Sequence, residues 1–349
     1  MTDISTTGGV APAASLDREV GALLAAAGLQ NDKRLRRELI TTAAALATDE
    51  IDRLDLKIAT AALAEMREAF RVFEPYEQVS KVSIFGSART RPDDPLYEQA
   101  RTVARLLADE GWMIVTGAGP GIMAAGMEGA GRERSIGVSI RLPFEQEPNS
   151  VIAGDSKFVA MKYFFTRKLM LIKASRAFVC LPGGFGTLDE TFELLTLTQT
   201  GKGLPVPIVF LDMPGDDYWV VVKTFIEQQL VPRGLVTEAD VGLFLVTDDS
   251  EVAVREILHF YANYQSLRYV GDQLVIRVRR SPDDDELVAL NERFGHLCKR
   301  GRIERSAPLA IELREQDALD LERVRFTFAQ HGFAELRGLI DALNRLVDD

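Results

Sequence analysis

Sulfur and imidazole are scarce in this chain. Among its 349 residues are two cysteines, Cys180 and Cys298, and three histidines, His259, His296 and His331. Two cysteines make no disulfide framework, and Cys180 lies within the apolar run RAFVCLPGG, so a reducing, cytoplasmic setting is expected. The histidines are scattered, and no His/Cys/Asp/Glu spacing matches a zinc site, so no metal is expected. No apolar run approaches the roughly 20 residues that cross a bilayer, and no membrane partner is expected. The first residues, MTDISTTGGVAPAASLDREV, have neither the basic start nor the compact apolar block of a signal peptide; residues 1–15 read as a disordered polar leader. Positive charge is short as well. A net charge of −11 argues against nucleic acid as a partner, because phosphate neutralisation drives that affinity. It leaves room for a small anion held by backbone N–H groups.

What is present falls into three segments after the leader. Residues 16–80 read as a helical extension. In it Ile51, Leu54, Ile58, Ala62, Met66, Phe70 and Phe73 recur at steps of three and four, one apolar stripe of a helix. Thr48 and Asp49 are candidate N-caps, Pro75 ends the pattern, and no chemistry is visible there. Residues 81–265 alternate strand and helix. The runs KVSIFG, WMIVTG, SIGVSI, AFVCLPG, PIVFLD and GLFLVT are continuously apolar, as in a parallel sheet buried on both faces. Helices are expected from near Pro95, Pro120, Val159, Thr187, Asp217 and Ser250. The fold class is therefore α/β, a doubly wound Rossmann-like parallel sheet, whose ligands bind at the carboxyl ends of the strands. Residues 266–349 read as a small α+β appendage. LRYVGDQLVIRVRR suggests two strands turning at Gly271-Asp272, SPDDDELVALNERFGHLCKR a helix, SAPLAIELRE a strand, and DALDLERVRFTFAQHGFAELRGLIDALNRLV a helix.

Three loops after strands carry candidate chemistry. In VTGAGPGIMAAGMEGAG the glycines Gly117, Gly119 and Gly121 precede a helix, so backbone can approach an anion there. A dinucleotide fingerprint fails, because its third glycine position is Ile122 and SIGVSI ends without an acidic residue. In SIFGSART, Gly86, Ser87 and Arg89 face the expected crevice, although a Gly-Ser turn is a common feature. The third loop is LPGGFGTLDETFE. Thr187 and Glu190 have the spacing of a capping box, in which the carboxylate merely satisfies the N-cap amide. Gly183, Gly184 and Gly186 point instead to a surface that a ligand must approach, a phosphate nest completed by the Thr187 hydroxyl at the positive end of a helix. Glu190 and Glu193 share a helix face. Glu190, nearer the anion end, is the favoured active carboxylate; Asp189 complements the helix dipole, and Glu193 assists or orients Arg167. Taken alone, Arg167 and Lys168 in VAMKYFFTRKLMLIKASRAFV read as a solvated face.

These blocks together resemble a known family. PGGFGTLDE is similar to the P-G-G-x-G-T-x-x-E signature of the LOG ("Lonely Guy") family, cytokinin-activating phosphoribohydrolases long mislabelled lysine decarboxylases. MKYFFTRKLM resembles its Met-x(5)-Arg-Lys block. GAGPGIM, GSAR and LTLTQTGKGLPVPIVFLD follow the longer bacterial members, over residues 81–264. The resemblance implies hydrolysis of the N-glycosidic bond of a nucleoside 5′-monophosphate, AMP or a cytokinin-type nucleotide, to free base and ribose 5-phosphate. It implies Arg167 and Glu190 as the catalytic pair and Gly183, Gly184, Gly186 and Thr187 on the phosphate. Gly86, Ser87, Gly119, Gly121 and Lys168 complete the substrate site, and Met161 lines the base pocket. It further implies no cofactor and a homodimer or higher homo-oligomer. Two positions depart from the family pattern: Ala118, where members often have glycine, and Met127, where longer members often have asparagine. The alternative is a non-hydrolytic nucleotide or molybdenum-cofactor binder, since related folds carry that cofactor.

Overall fold

Apolar, β-branched runs become strands wherever both faces can be covered, and seven of them form one parallel sheet. The structure, a computed structural model, describes residues 11–28, 32–141 and 147–348. The chain divides into two compact units, Met1–Ala64 and Glu65–Asp349. Helices α1 (Ala11–Ala26) and α2 (Lys33–Thr48) belong to the first; α3 (Arg53–Phe73) begins in it and ends in the second. Residues 1–10 of the expected leader lie outside the described residues, and 11–15 are already helix. Thr48 is the last residue of α2 rather than a cap of the next helix. The α3 start is held instead by Asp52, whose carboxylate accepts from Leu54 N at 2.6 Å. Pro75 ends the helix in a short 3-10 turn, Glu74–Tyr76, because it cannot continue the ladder. The expected stripe is only partly covered: Ala62 and Phe73 are buried, while Leu54 and Phe70 are exposed.

The parallel sheet is built from β1 (Lys81–Phe85), β2 (Met113–Thr116), β3 (Ser135–Ile140), β4 (Phe158–Met161), β5 (Ala177–Cys180), β6 (Ile208–Leu211) and β7 (Leu245–Thr247). Its order is β4-β3-β2-β1-β5-β6-β7. Connecting helices are α4 (Pro95–Asp109), α5 (Ile122–Ala130), α6 (Phe164–Lys173), α7 (Phe185–Gln199), α8 (Tyr218–Phe225) and α9 (Ser250–His259). One face of the sheet packs Phe85, Val115, Phe178 and Phe210; the other packs Ile84, Ile114, Val179 and Leu211, all buried. The doubly wound α/β expectation therefore holds. One strand differs from expectation: Val159 lies in β4, and the helix begins five residues later, at Phe164. The strand order reverses between β1 and β5, which makes their carboxyl ends the crevice of the fold.

The last segment is an antiparallel sheet, order β10-β11-β9-β8, of β8 (Tyr264–Val270), β9 (Gln273–Val278), β10 (Cys298–Arg305) and β11 (Glu322–Phe328). Helices α10 (Asp284–Phe294), α11 (Ala310–Glu315) and α12 (Phe333–Asn344) accompany it. The turn at Gly271-Asp272 and the helix after Pro282 are as expected, the latter with a capping box between Asp283 and Glu286. Two readings are corrected. SAPLAIELRE contains the short helix α11, not a strand, and ERVRFTF within the expected long helix is β11. The physical reason is shared. Val324, Phe326 and Phe328 alternate into the core while Arg323 and Arg325 face the opposite side, where Arg323 meets Glu312 of α11 and Arg325 meets Glu304 of β10.

Candidate active site

The crevice between β1 and β5 is where the glycine loops meet. Ser87 N donates to Pro182 O at 3.3 Å, and Ile122 N donates to Ser87 O at 3.0 Å, so all three loops are tied together. Gly121 adopts φ +67°, and a Cβ there would lie 2.3 Å from Ser87 O. A side chain on Gly183 would meet the Thr187 hydroxyl at 2.2 Å. At Gly184 and Gly186 an added Cβ would meet nothing within 4 Å. These two glycines face open space, and the first two hold the loops together.

Helix α7 starts earlier than Thr187. Its N-cap is Gly184, and Leu188 N is bonded to Gly184 O at 3.1 Å. Thr187 is therefore inside the first turn, and Glu190 does not close a capping box on it. Gly184 has no side chain with which to satisfy the orphan amides at the helix start. Tyr218 fixes the preceding turn by donating its hydroxyl to Gly183 O at 2.7 Å. Tyr218 is in turn placed by Asp212, a buried residue at the end of β6, which accepts from Trp219 N at 3.0 Å. Burial pushes the Asp212 carboxyl up to about 6, against the backbone bond from Trp219.

Glu190 turns toward Arg167. The Arg167 Nη1 to Glu190 Oε1 distance is 2.8 Å, and Arg167 Nε donates to Val138 O at 3.0 Å. A Cβ on Gly117 would lie 2.2 Å from Arg167 Nη2, so this glycine makes room for the guanidinium. Burial raises the Glu190 pKa above its ordinary value; the Arg167 charge and hydrogen bond pull it back only in part. Beneath the turn the Cys180 thiol is pushed up to about 12, chiefly by burial, so it offers no thiolate.

A cavity of 780 Å³ opens over these groups. Gly86, Ser87, Arg89, Arg167, Gly183, Gly184, Gly186, Thr187 and Glu190 line it. Four expected site residues lie elsewhere. Met161 ends β4 and is fully buried in the core on one face of the sheet. Gly119 lies behind the cavity with its carbonyl bonded to Asn149, and Gly121 is packed under Ser87. Lys168 bridges Asp189 at 2.8 Å and Glu193 at 2.7 Å, which also places those two carboxylates: neither orients Arg167. Burial opposes the Lys168 charge, but the bonds to Asp189 and Glu193 hold its pKa above normal. Ala118 keeps the left-handed φ of +58° at the position where the resembling family has glycine.

Sequence reading missed Tyr218, Met123, Phe164 and Phe185 in the cavity wall, and one support outside it. Tyr163, the N-cap of α6, gives no side-chain cap. Glu65 of α3 substitutes: its carboxylate accepts from Lys162 N at 2.7 Å and from the Thr166 hydroxyl at 2.7 Å. A carboxylate at a helix start also complements the dipole. Arg167 is the next residue, so the flanking helix steadies the turn that carries it. Nothing local in the sequence marks Glu65, because its partners lie about a hundred positions away.

A doubly wound sheet with an open helix start and a carboxylate–guanidinium pair at its crevice defines a class, a Rossmann-like α/β protein with a candidate anion site. Comparison with known proteins narrows it. The family described as possible lysine decarboxylase matches residues 121–257. A probable cytokinin riboside 5′-monophosphate phosphoribohydrolase of Arabidopsis thaliana, LOG6, is 34% identical over 108 residues, 31% of this chain and 51% of that protein. A second from the same plant, LOG7, is 23% identical over 56% of this chain and 88% of its own length. The Rhodococcoides fascians phosphoribohydrolase is 34% identical over 91 residues, 26% of this chain and 44% of that protein. The chain thus spans about half the length of the first of these relatives. Its parallel-sheet region is similar to the LOG family, as its motifs indicated. Among solved structures, a molybdenum cofactor binding protein from Rippkaea orientalis has 17% identity and a TM-score of 0.39, covering 52% of this chain and 96% of that one. Among the described residues no helix is long and apolar enough to cross a membrane.

Proposed function

We propose that the chain hydrolyses the N-glycosidic bond of a nucleoside 5′-monophosphate, releasing the base and ribose 5-phosphate. The observation that carries this reading is the Arg167–Glu190 pair, 2.8 Å apart, on the wall of a cavity that also holds the glycine-rich start of α7. The 5′-phosphate occupies the first turn of α7. There the unpaired amides and helix dipole attract it, and Gly184 and Gly186 leave the approach clear. Glu190, one turn along, faces the sugar. An oxocarbenium-like transition state gains from a carboxylate beside the anomeric carbon, which stabilises the growing positive charge or takes a proton from the attacking water. Its raised pKa, caused by burial, makes it a better proton acceptor than an ordinary carboxylate. Arg167 holds that carboxylate in place. Binding of the remote phosphate then supplies the positioning energy for the reacting centre. AMP or an N6-substituted AMP is the substrate class implied by the family resemblance.

A homo-oligomer belongs to the same reading. Phe185, 93% exposed, and Phe164, 55% exposed, stand on the cavity rim, where a second copy would cover them. The test is direct. The protein is incubated with AMP, GMP, CMP, UMP and N6-isopentenyl AMP, and free base is measured by chromatography. Release that is lost in Glu190→Gln supports hydrolysis. Nucleotide binding without release by the wild type would make this a carrier, and silence with every nucleotide would sink the proposal. Sedimentation velocity reads the assembly state.

A further inference from the structure

The opposite edge of the parallel sheet carries a second cavity, of 620 Å³, that shares no lining residue with the first. It opens where the chain enters β5 and β6, beneath the antiparallel sheet. Its walls are apolar: Phe178, Leu194, Leu197 and Tyr264 among them. The charged groups in its lining are all cationic, Lys173, Arg176 and Lys202, in a chain whose net charge is −11. Arg176 is pre-set rather than loose. Its guanidinium lies 4.3 Å from the Tyr261 ring centre and donates to Gln265 O at 2.9 Å, and the Tyr261 hydroxyl donates back to Arg176 O at 2.6 Å. Among the described residues no carboxylate forms an ion pair with Lys173, Arg176 or Lys202.

The surroundings register this positive field. The pKa of neighbouring Lys81 is lowered, first by burial and, against Glu77, by the charges of Arg176 and Lys173. A cavity of this volume with apolar walls and a few converging polar groups has the form of a small-molecule site. Clefts lined by one sign of charge on low-dielectric walls concentrate the opposite ion. Lys173 and Lys202 are exposed to solvent, and a ligand with a flat apolar body and one anionic end would meet both the walls and the cations.

We propose that this cavity is a second binding site, for an amphipathic small anion whose aromatic or aliphatic body fills the apolar walls and whose phosphate or carboxylate meets Lys173, Arg176 and Lys202. The site is separate from the proposed reaction: neither Lys173 nor Lys202 touches the glycine loops.

The probes are anilinonaphthalene sulfonate and N-phenylnaphthylamine, the same ring system without the charge, titrated by fluorescence into the full chain. The sulfonate binds at least tenfold tighter than the neutral dye. The double substitution Lys173→Ala with Lys202→Ala weakens the sulfonate at least tenfold, leaves the neutral dye unchanged and leaves the melting temperature and base release intact. Phenyl phosphate and phenylacetate are then used as competitors; the one that displaces the dye identifies the anionic group. Equal affinity for both dyes, an unaltered sulfonate affinity in the double variant, or displacement by neither acid overturns the proposal. So does a changed oligomeric state in the double variant, which would make this face an interface between copies. None of these outcomes depends on whether the glycine-lined cavity hydrolyses nucleotides.

Discussion

Glu190 and Glu312 are both paired with arginine, and the fold treats them in opposite ways. Glu312, on α11, is fully buried between two guanidiniums. Its Oε1 lies 2.6 Å from Arg277 Nη2, and its Oε2 accepts from Arg323 Nε at 3.1 Å and from Leu309 N at 2.9 Å. Burial alone would raise its pKa, yet the Leu309 amide and both arginines hold it below the ordinary value. Glu190 has one arginine, and burial keeps its pKa raised. A carboxylate that serves structure is given every donor it can accept. One exposed to a cavity is left short, and that shortage suits it to the proposed reaction.

The comparison can be broken most sharply at the two glutamates themselves. Glu190→Gln should cut base release by about 10²–10⁴-fold, the worth of a positioned acid–base group, with the fold retained by circular dichroism. Glu312→Ala leaves the buried Arg323 without a counter-ion and Arg277 with Asp317 alone, and should cost about 3–5 kcal/mol in urea unfolding. The pH dependences should have opposite sign. The folded pKa of Glu312 is depressed, so its stabilisation is present above its ordinary value of 4.5 and is lost as pH falls through the depressed one. Melting curves of wild type against Glu312→Gln should converge only on the acid side. The folded pKa of Glu190 is raised, so ionising it costs stability as pH rises through that value, and activity should gain an acid limb above pH 4.5.

Smaller effects sharpen the same contrast. Gly184→Ala meets no atom, so the melting temperature should hold while the KM for the nucleotide rises about tenfold, the worth of one hydrogen bond to a charged group. A collapse in stability instead would mean that the helix start is structural like Glu312. Glu65→Gln weakens the cap of α6 and should lower kcat severalfold, about 0.5–2 kcal/mol, with KM little changed. An equal effect of Glu65→Gln on wild type and on an Arg167→Lys variant would disconnect α3 from the site.

The parallel sheet was legible because its strands are mostly apolar, and β1, β2 and β5 run directly into glycine or Leu-Pro-Gly turns. Strand β4 escaped because FVAM runs into a helix of similar composition with only Lys162 and Tyr163 between them. In the antiparallel sheet one face is charged, and pattern reading falters there. Leu309, Ile311 and Leu313 alternate like a strand, but Glu312 between them is drawn in by arginines on β9 and β11, which no local window contains. The glycine loops were readable from type and order, whereas the pairing of Arg167 with Glu190 came from the family resemblance, since Arg167 alone reads as a solvated face. Glu65 and Tyr218 were not readable, since their roles exist only after distant segments meet. The capping box was a fair local inference. Gly184 displaced it by starting the helix three residues early.

One residue near the end of the chain has a consequence in time. Asn344, fully buried at the end of α12, accepts from Asn263 N at 3.1 Å and Tyr264 N at 2.7 Å, and donates to Phe260 O at 2.7 Å. A residue made some 80 positions later thus secures the junction between the two sheets. During synthesis that junction must stay open until α12 has left the ribosome. The junction is therefore most exposed to misassembly in the interval between the making of β8 and the making of α12.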